Sequence, residues 1–157
     1  MPAIALRMAR SAALLCIMAV FAAADTHNDV MEVLTKMAAA LTQTNADRGG
    51  SIGGNVAEFM SCISRNMPEY DALKANVTAL VNNAEISSSI EPLTEDQKGD
   101  TYQIDLDWFL QIQSLEPDGP MVRRRQVVHC ELRKEDKHWK VVALKPLDFF
   151  ASADLGR

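Results

Sequence analysis

The chain has 157 residues, 48% of them hydrophobic and 24% charged, and a formal net charge of −5. That composition is ordinary for a soluble globular protein and makes a single domain the expectation. An acidic balance is a poor basis for gripping phosphates, so no nucleic-acid partner is expected.

Arg7 and Arg10 precede an apolar run from Ala12 to Phe21, which ends in Ala22, Ala23 and Ala24 before Asp25. This is the pattern of a secretory signal. A cut after Ala24 leaves residues 25–157 as one secreted or periplasmic domain, which meets the membrane only transiently. The run falls short of the roughly 20 residues that span a bilayer. Cys16 lies in the apolar run and leaves with it. Of the remaining cysteines, Cys62 and Cys130 are either one disulfide or two buried thiols. No Cys-x-x-Cys motif or metal-ligand spacing accompanies them, and no cofactor is expected.

From Asn28 to about Gln43, Val30, Val33, Leu34, Met37, Ala38 and Leu41 recur at intervals of three and four. This spacing predicts an amphipathic helix capped by Asn28. Asp47 to Asn55, with four glycines between Gly49 and Gly54, reads as a flexible connection or a flap, and lacks the lysine of a phosphate loop. Val56 to Ile63 is a short helix carrying Phe59, Met60 and Ile63. After a break at Ser64 to Met67, the run Asn66, Pro68, Glu69 signals the start of another helix. That helix reaches about Asn83 and presents Tyr70, Leu73, Val77 and Leu80 along one side. Asn76, Val77 and Thr78 form a sequon in its middle, read as coincidence.

The period then becomes two. Glu85 to Leu93 reads as a strand with Ile86, Ser88 and Ile90 on one side, followed by a turn over Thr94 to Lys98. Gly99 to Gln113 is the central strand, with Tyr102, Ile104, Leu106, Trp108, Leu110 and Ile112 on one face. A turn at Glu116 to Pro120 leads to a third strand, Met121 to Lys134, and a fourth, Lys137 to Leu144. A hairpin centred near Asp118 pairs Trp108 with Val128, Leu106 with Cys130 and Ile104 with Leu132. A tight turn at Glu135 and Asp136 pairs Leu132 with Trp139, Cys130 with Val141 and Val128 with Ala143, while Ile90 falls near Ile104. All share one apolar face, so the expectation is an α+β fold, two to three helices on a curved four-stranded antiparallel meander.

EFMSCISRNMPEYDALKANVTALV, TYQIDLDWFLQIQ, RRRQVVHCELRK and the closing HWKVVALKPLDFF, in that order, resemble the nuclear transport factor 2-like superfamily, in a trimmed form with little chain between the second and third helices. The resemblance implies a cone-shaped sheet around a long helix. Its members include ketosteroid isomerases, cyclases, dehydratases, non-catalytic ligand binders and secretion scaffolds, often homodimeric through the outer sheet face. The interior acid pair of the isomerases has no counterpart here.

Polar or aromatic side chains that parity turns inward are Ser88, Tyr102, Trp108, Arg124 and Gln126, the candidate ligand pocket. Arg124 there either holds a carboxylate or is simply solvated. On the outer face the same register sets His129 opposite Asp107, a general-base arrangement or an ordinary cross-strand contact, among Arg123, Arg125, Arg133, Asp105 and Glu131. Phe149 and Phe150 either tuck against the sheet or await a second subunit. The leading expectation is an exported, non-catalytic domain binding a small molecule or a protein. The alternatives are a cofactor-free isomerase, cyclase or dehydratase, and an envelope scaffold held by an uncleaved N-terminus.

Overall fold

A computed structural model describes residues 25–42 and 54–155. The segment read as a secretory signal and nearly all of the glycine-rich connection lie outside them. The chain divides into two compact units, Met1–Glu32 and Val33–Arg157. In the first, residues 25–32 are described and are helical, so the helix starts ahead of the Asn28 cap expected from the sequence.

Helix α1 (residues 25–42) brings Leu34, Met37, Ala38, Ala40 and Leu41 into the core. Helix α2 (Val56–Ser61) starts at Asn55, whose Oδ1 accepts from the Glu58 amide at 3.0 Å. Helix α3 (Tyr70–Asn83) buries Leu73, Val77, Leu80 and Val81, and starts at Glu69 without a side-chain cap. Asn66 therefore does not cap it, contrary to the sequence signal. Its Asn76 amide donates to the Leu147 carbonyl at 3.2 Å, so the sequon asparagine is spent on packing.

The sheet is a meander in the order β1-β2-β3-β4, with β1 (Ala84–Lys98), β2 (Thr101–Ser114), β3 (Met121–Glu135) and β4 (His138–Lys145). Three helices on a four-stranded antiparallel sheet make the fold α+β. The alternation in β2 is realised in full, for all six of its even-numbered residues from Tyr102 to Ile112 are buried. Val128, Cys130 and Leu132 of β3 and Trp139, Val141 and Leu144 of β4 extend that face.

The faces of β2 and β3 are as expected but the register is not, and in β4 the bulge sets Ala143, expected on the inner face, opposite outward Glu131 while Leu144 turns inward beside Cys130. Trp108 pairs with Gln126, Leu106 with Val128 and Ile104 with Cys130, two residues away from the expected partners. The β2–β3 loop is centred on Pro117, with the Ser114 amide bonded to the Pro120 carbonyl at 3.0 Å. A slip of two preserves parity, which is why side-chain alternation cannot detect it. In β3–β4, Leu132 pairs with Val141 and Cys130 with Leu144, because the turn falls on Asp136 and Lys137, both at positive φ, and a bulge intervenes after Glu131. Ile90 pairs with Trp108, since the polar run Thr94 to Lys98 continues β1 past a bulge at Pro92 instead of turning. Proline and an exposed polar run both suit an edge strand.

The other edge is closed by the link after α2. The Val141 amide donates to the Cys62 carbonyl at 2.9 Å, and the Ser64 amide donates to the Val141 carbonyl at 2.8 Å, forming a parallel bridge between Ile63 and Val141. Gly54 sits so close to α1 that an added Cβ would lie 2.8 Å from the Leu41 carbonyl oxygen and 2.9 Å from that of Ala40. The last glycine of the connection is thus a packing requirement as well as a freedom. After β4 the chain turns back at Pro146 into the short 3-10 helix η1 (Leu147–Phe150).

Candidate functional site

The pairing of β3 with β4 ends at His129 opposite Lys145, so the first half of β3 has no fourth strand beside it. The space over Trp108 is taken by η1. Phe150 meets the Trp108 ring edge-on at 5.0 Å, Phe149 lies 6.3 Å from it, and Phe59 of α2 closes the cluster at 5.7 Å from Phe150. Phe149 and Phe150 are themselves edge-to-face at 5.1 Å. Edge-to-face rings at these separations attract beyond their burial, so η1 is a packed plug. Trp108, Phe59 and Phe150 are fully buried.

The structure gives each expected pocket residue its own surroundings. Trp108 Nε1 donates to Ser88 Oγ at 2.8 Å, which joins two of the candidates to each other. Arg124 sends its guanidinium to the tail, with Nη1 donating to the carbonyls of Phe149 at 2.9 Å and Ala151 at 2.5 Å, and Nη2 to that of Ser152 at 3.1 Å. Those bonds engage the group expected to anchor a ligand carboxylate. Gln126, inward by parity, is exposed, because β3 is itself an edge at that level. Tyr102 is buried at the far end of β2, where its hydroxyl donates to Glu95 Oε2 at 2.5 Å and its ring meets Trp139 at 6.1 Å. Burial, and then the Glu95 carboxylate, push its phenol above the ordinary value of 10.0. Trp139 Nε1 is buried with no partner among the described residues, and the Lys134 ammonium lies 5.4 Å from that ring. The five candidates thus do not converge on one cavity.

Cys62 and Cys130 are separate buried thiols, which takes the unbonded of the two alternatives. Burial raises both pKa values, and a thiol held protonated is a poor nucleophile. No cluster of three or more potential metal ligands occurs among the described residues.

On the outer face His129 pairs with Asp105, not Asp107, at 2.5 Å from Nδ1 to Oδ1. The His129 hydrogen bond, with a second from Thr94 at 2.8 Å, holds the Asp105 carboxyl below its ordinary range. Asp107 instead takes Arg125, whose Nε lies 2.9 Å from Oδ2 and whose Nη2 lies 2.5 Å from it. Glu131 takes Arg133 at 2.9 Å. Cross-strand and same-strand ion pairs thus occupy much of this face, with Val127 exposed among them and Arg123 outside the pairs.

Sequence reasoning overlooked a groove between α2, the link that follows it, the start of α3 and the β3–β4 hairpin. Its volume is about 780 Å³, and it is lined by residues including Arg65, Tyr70, Lys74, Glu135 and Lys140. Ser64, the buried polar residue of the link, donates to Glu135 Oε1 at 2.6 Å and accepts from the Asn66 amide at 3.2 Å. Lys140 donates to the Ser61 carbonyl. Ser64 to Met67 reads in sequence only as a helix break, and nothing local reveals that it pairs with β4.

No protein-family model matches the chain, and no curated protein matches it in sequence. Among solved structures it is similar to a protein from Novosphingobium aromaticivorans that is provisionally assigned as an aromatic ring hydroxylase. The likeness has a TM-score of 0.55 at 14% identity, covering 77% of this chain and 93% of that one. Likeness at that identity speaks to the fold alone.

Proposed function

We propose that this chain is an exported, non-catalytic domain of the nuclear transport factor 2-like superfamily that works by contact with a protein partner. The superfamily reading is supported by the order of elements, helices and then a long antiparallel meander, and by the coverage of the solved neighbour. The observation that carries the functional reading is the plug. Phe149 and Phe150 fill the space over Trp108, and Ser88, Tyr102 and Arg124 are engaged by the chain itself.

Catalysis inside such a fold needs at least two converging ionisable groups. Among the described residues Ser64 alone is a buried polar or charged residue outside the tyrosine and cysteines. An aromatic substrate, the kind named for the neighbour, would also need the room that the plug occupies. These points favour a surface role over an enzyme or an interior binder.

Export rests on the N-terminal pattern, and sequencing of the mature protein should give Asp25 as its first residue. An intact Met1 in a membrane fraction would favour the anchored scaffold instead. Native mass spectrometry of protein isolated from its own host tests the functional reading. The expected spectrum holds a stoichiometric protein complex and no retained small molecule. A stoichiometric small molecule would overturn the reading, and a homodimer alone would replace the partner with a second copy on the outer sheet face.

A further inference from the structure

We propose that the groove between α2 and the β3–β4 hairpin docks an acidic, apolar-tipped peptide segment of a partner protein. This rests on the reading of the domain as one that works by protein contact, and it names the surface and the chemistry of that contact. Three cations line the groove, Arg65, Lys74 and Lys140, against one carboxylate, Glu135. Glu135 is engaged by Ser64, and Glu58 of the neighbouring helix is engaged by Lys36 at 2.8 Å. Arg65 and Lys74 enter no ion pair among the described residues.

On a chain of net charge −5, with Arg125 and Arg133 of the outer face held in ion pairs, two unspent cations beside an apolar wall form a local reversal of sign. Such a reversal attracts an anionic partner and repels the protein's own kind. The Tyr70 ring and Val56, both half-exposed, supply the apolar wall. The rim is open, with Ala57, Arg65, Asn66 and Lys74 exposed, whereas a pocket for a small molecule encloses most of its ligand. An extended segment that carries its own cover suits this opening better than a small carboxylate.

Recognition here runs through side chains. Both backbone groups of Val141 are already bonded to the link after α2, so the segment cannot add a strand at that point. The hydrogen bonds of Ser64 to Glu135 and to the Asn66 amide hold the turn that carries Arg65. That pre-forms one side of the site.

Fluorescence anisotropy tests the assignment with a labelled hexapeptide of alternating Glu and Leu, set against Gln-Leu and Lys-Leu peptides of equal length. At low salt the purified protein should bind the Glu-Leu peptide at least fivefold more tightly than the Gln-Leu peptide, and the Lys-Leu peptide least. The double variants R65E/K74E and R65Q/K74Q should each lose at least fivefold in affinity. The glutamine pair guards against a folding defect in the charge reversal, and thermal melts verify both. A difference under fivefold between the acidic and neutral peptides, or in a folded double variant, overturns the groove assignment. So does retention on phosphatidylglycerol vesicles without binding of the acidic peptide. If R65Q/K74Q still forms the same stoichiometric host complex as wild type, the groove assignment fails while the protein-contact reading stands. A small molecule retained in the native spectrum would instead remove that reading.

Discussion

Three backbone carbonyls converge on the Arg124 guanidinium, and their convergence decides what that residue does. A charged donor contributes about 1.5–3 kcal/mol per bond at most, and removing it strands the part-buried Phe149 and Ala151 carbonyls, while the exposed Ser152 carbonyl turns to water. Arg124→Ala should therefore lower the melting temperature by roughly 5 °C or more, measurable by calorimetry. An anion-anchoring Arg124 would leave it nearly unchanged. Tyr102 makes a second case. Its phenol is raised above 10.0 in the folded chain, by burial first and Glu95 second, so its contribution is complete below pH 10 and is lost as pH rises above it. Wild type should accordingly lose stability relative to Tyr102→Phe between about pH 10 and 12, as followed by urea melts across that range.

At the scale of elements the least conspicuous piece does the most. Helix η1 has four residues, yet two of them close the aromatic cluster on Trp108. Phe150→Ala should cost about 3–5 kcal/mol, because it deletes a fully buried ring among rings that cannot close the gap. A chemical melt of that variant would read the loss, and an effect under about 1 kcal/mol would mean that the plug is loose. The strands were legible because alternation survives any even slip, and the six inward residues of β2 are those the sequence presents. Register was not, because the Pro117 loop shifts partners by an even step that leaves the faces of β2 and β3 unchanged, while the bulges at Pro92 and Glu131 insert a single residue that no alternation announces. The surroundings of the pocket candidates were hidden for a related reason. Parity gives Arg124 and Gln126 their direction, but only tertiary structure shows η1 folding back to use the one while the other stays exposed. The groove depends on Ser64 meeting Val141, a contact 77 residues apart along the chain that no local pattern carries.

For the molecule as a whole, the described core of the second unit is aromatic and aliphatic, and two cations outside any ion pair among the described residues, Arg65 and Lys74, lie at the rim of one groove. On the outer sheet face Asp105 is held below 3.8, chiefly by His129, so the stability it gives is complete above about pH 4 and fades as pH falls further. A melt from pH 6 to 2 should show His129→Ala converging on wild type at the acid end.

The filled interior itself is tested most directly by acrylamide quenching of Trp108. The chain has two tryptophans, so Trp139→Phe isolates its emission. A plug of Phe149 and Phe150 predicts blue-shifted emission that acrylamide barely quenches and that toluene added to saturation does not alter. Red-shifted, readily quenched emission, or a response to the added aromatic, would mean an open cavity over Trp108 and would contradict the account.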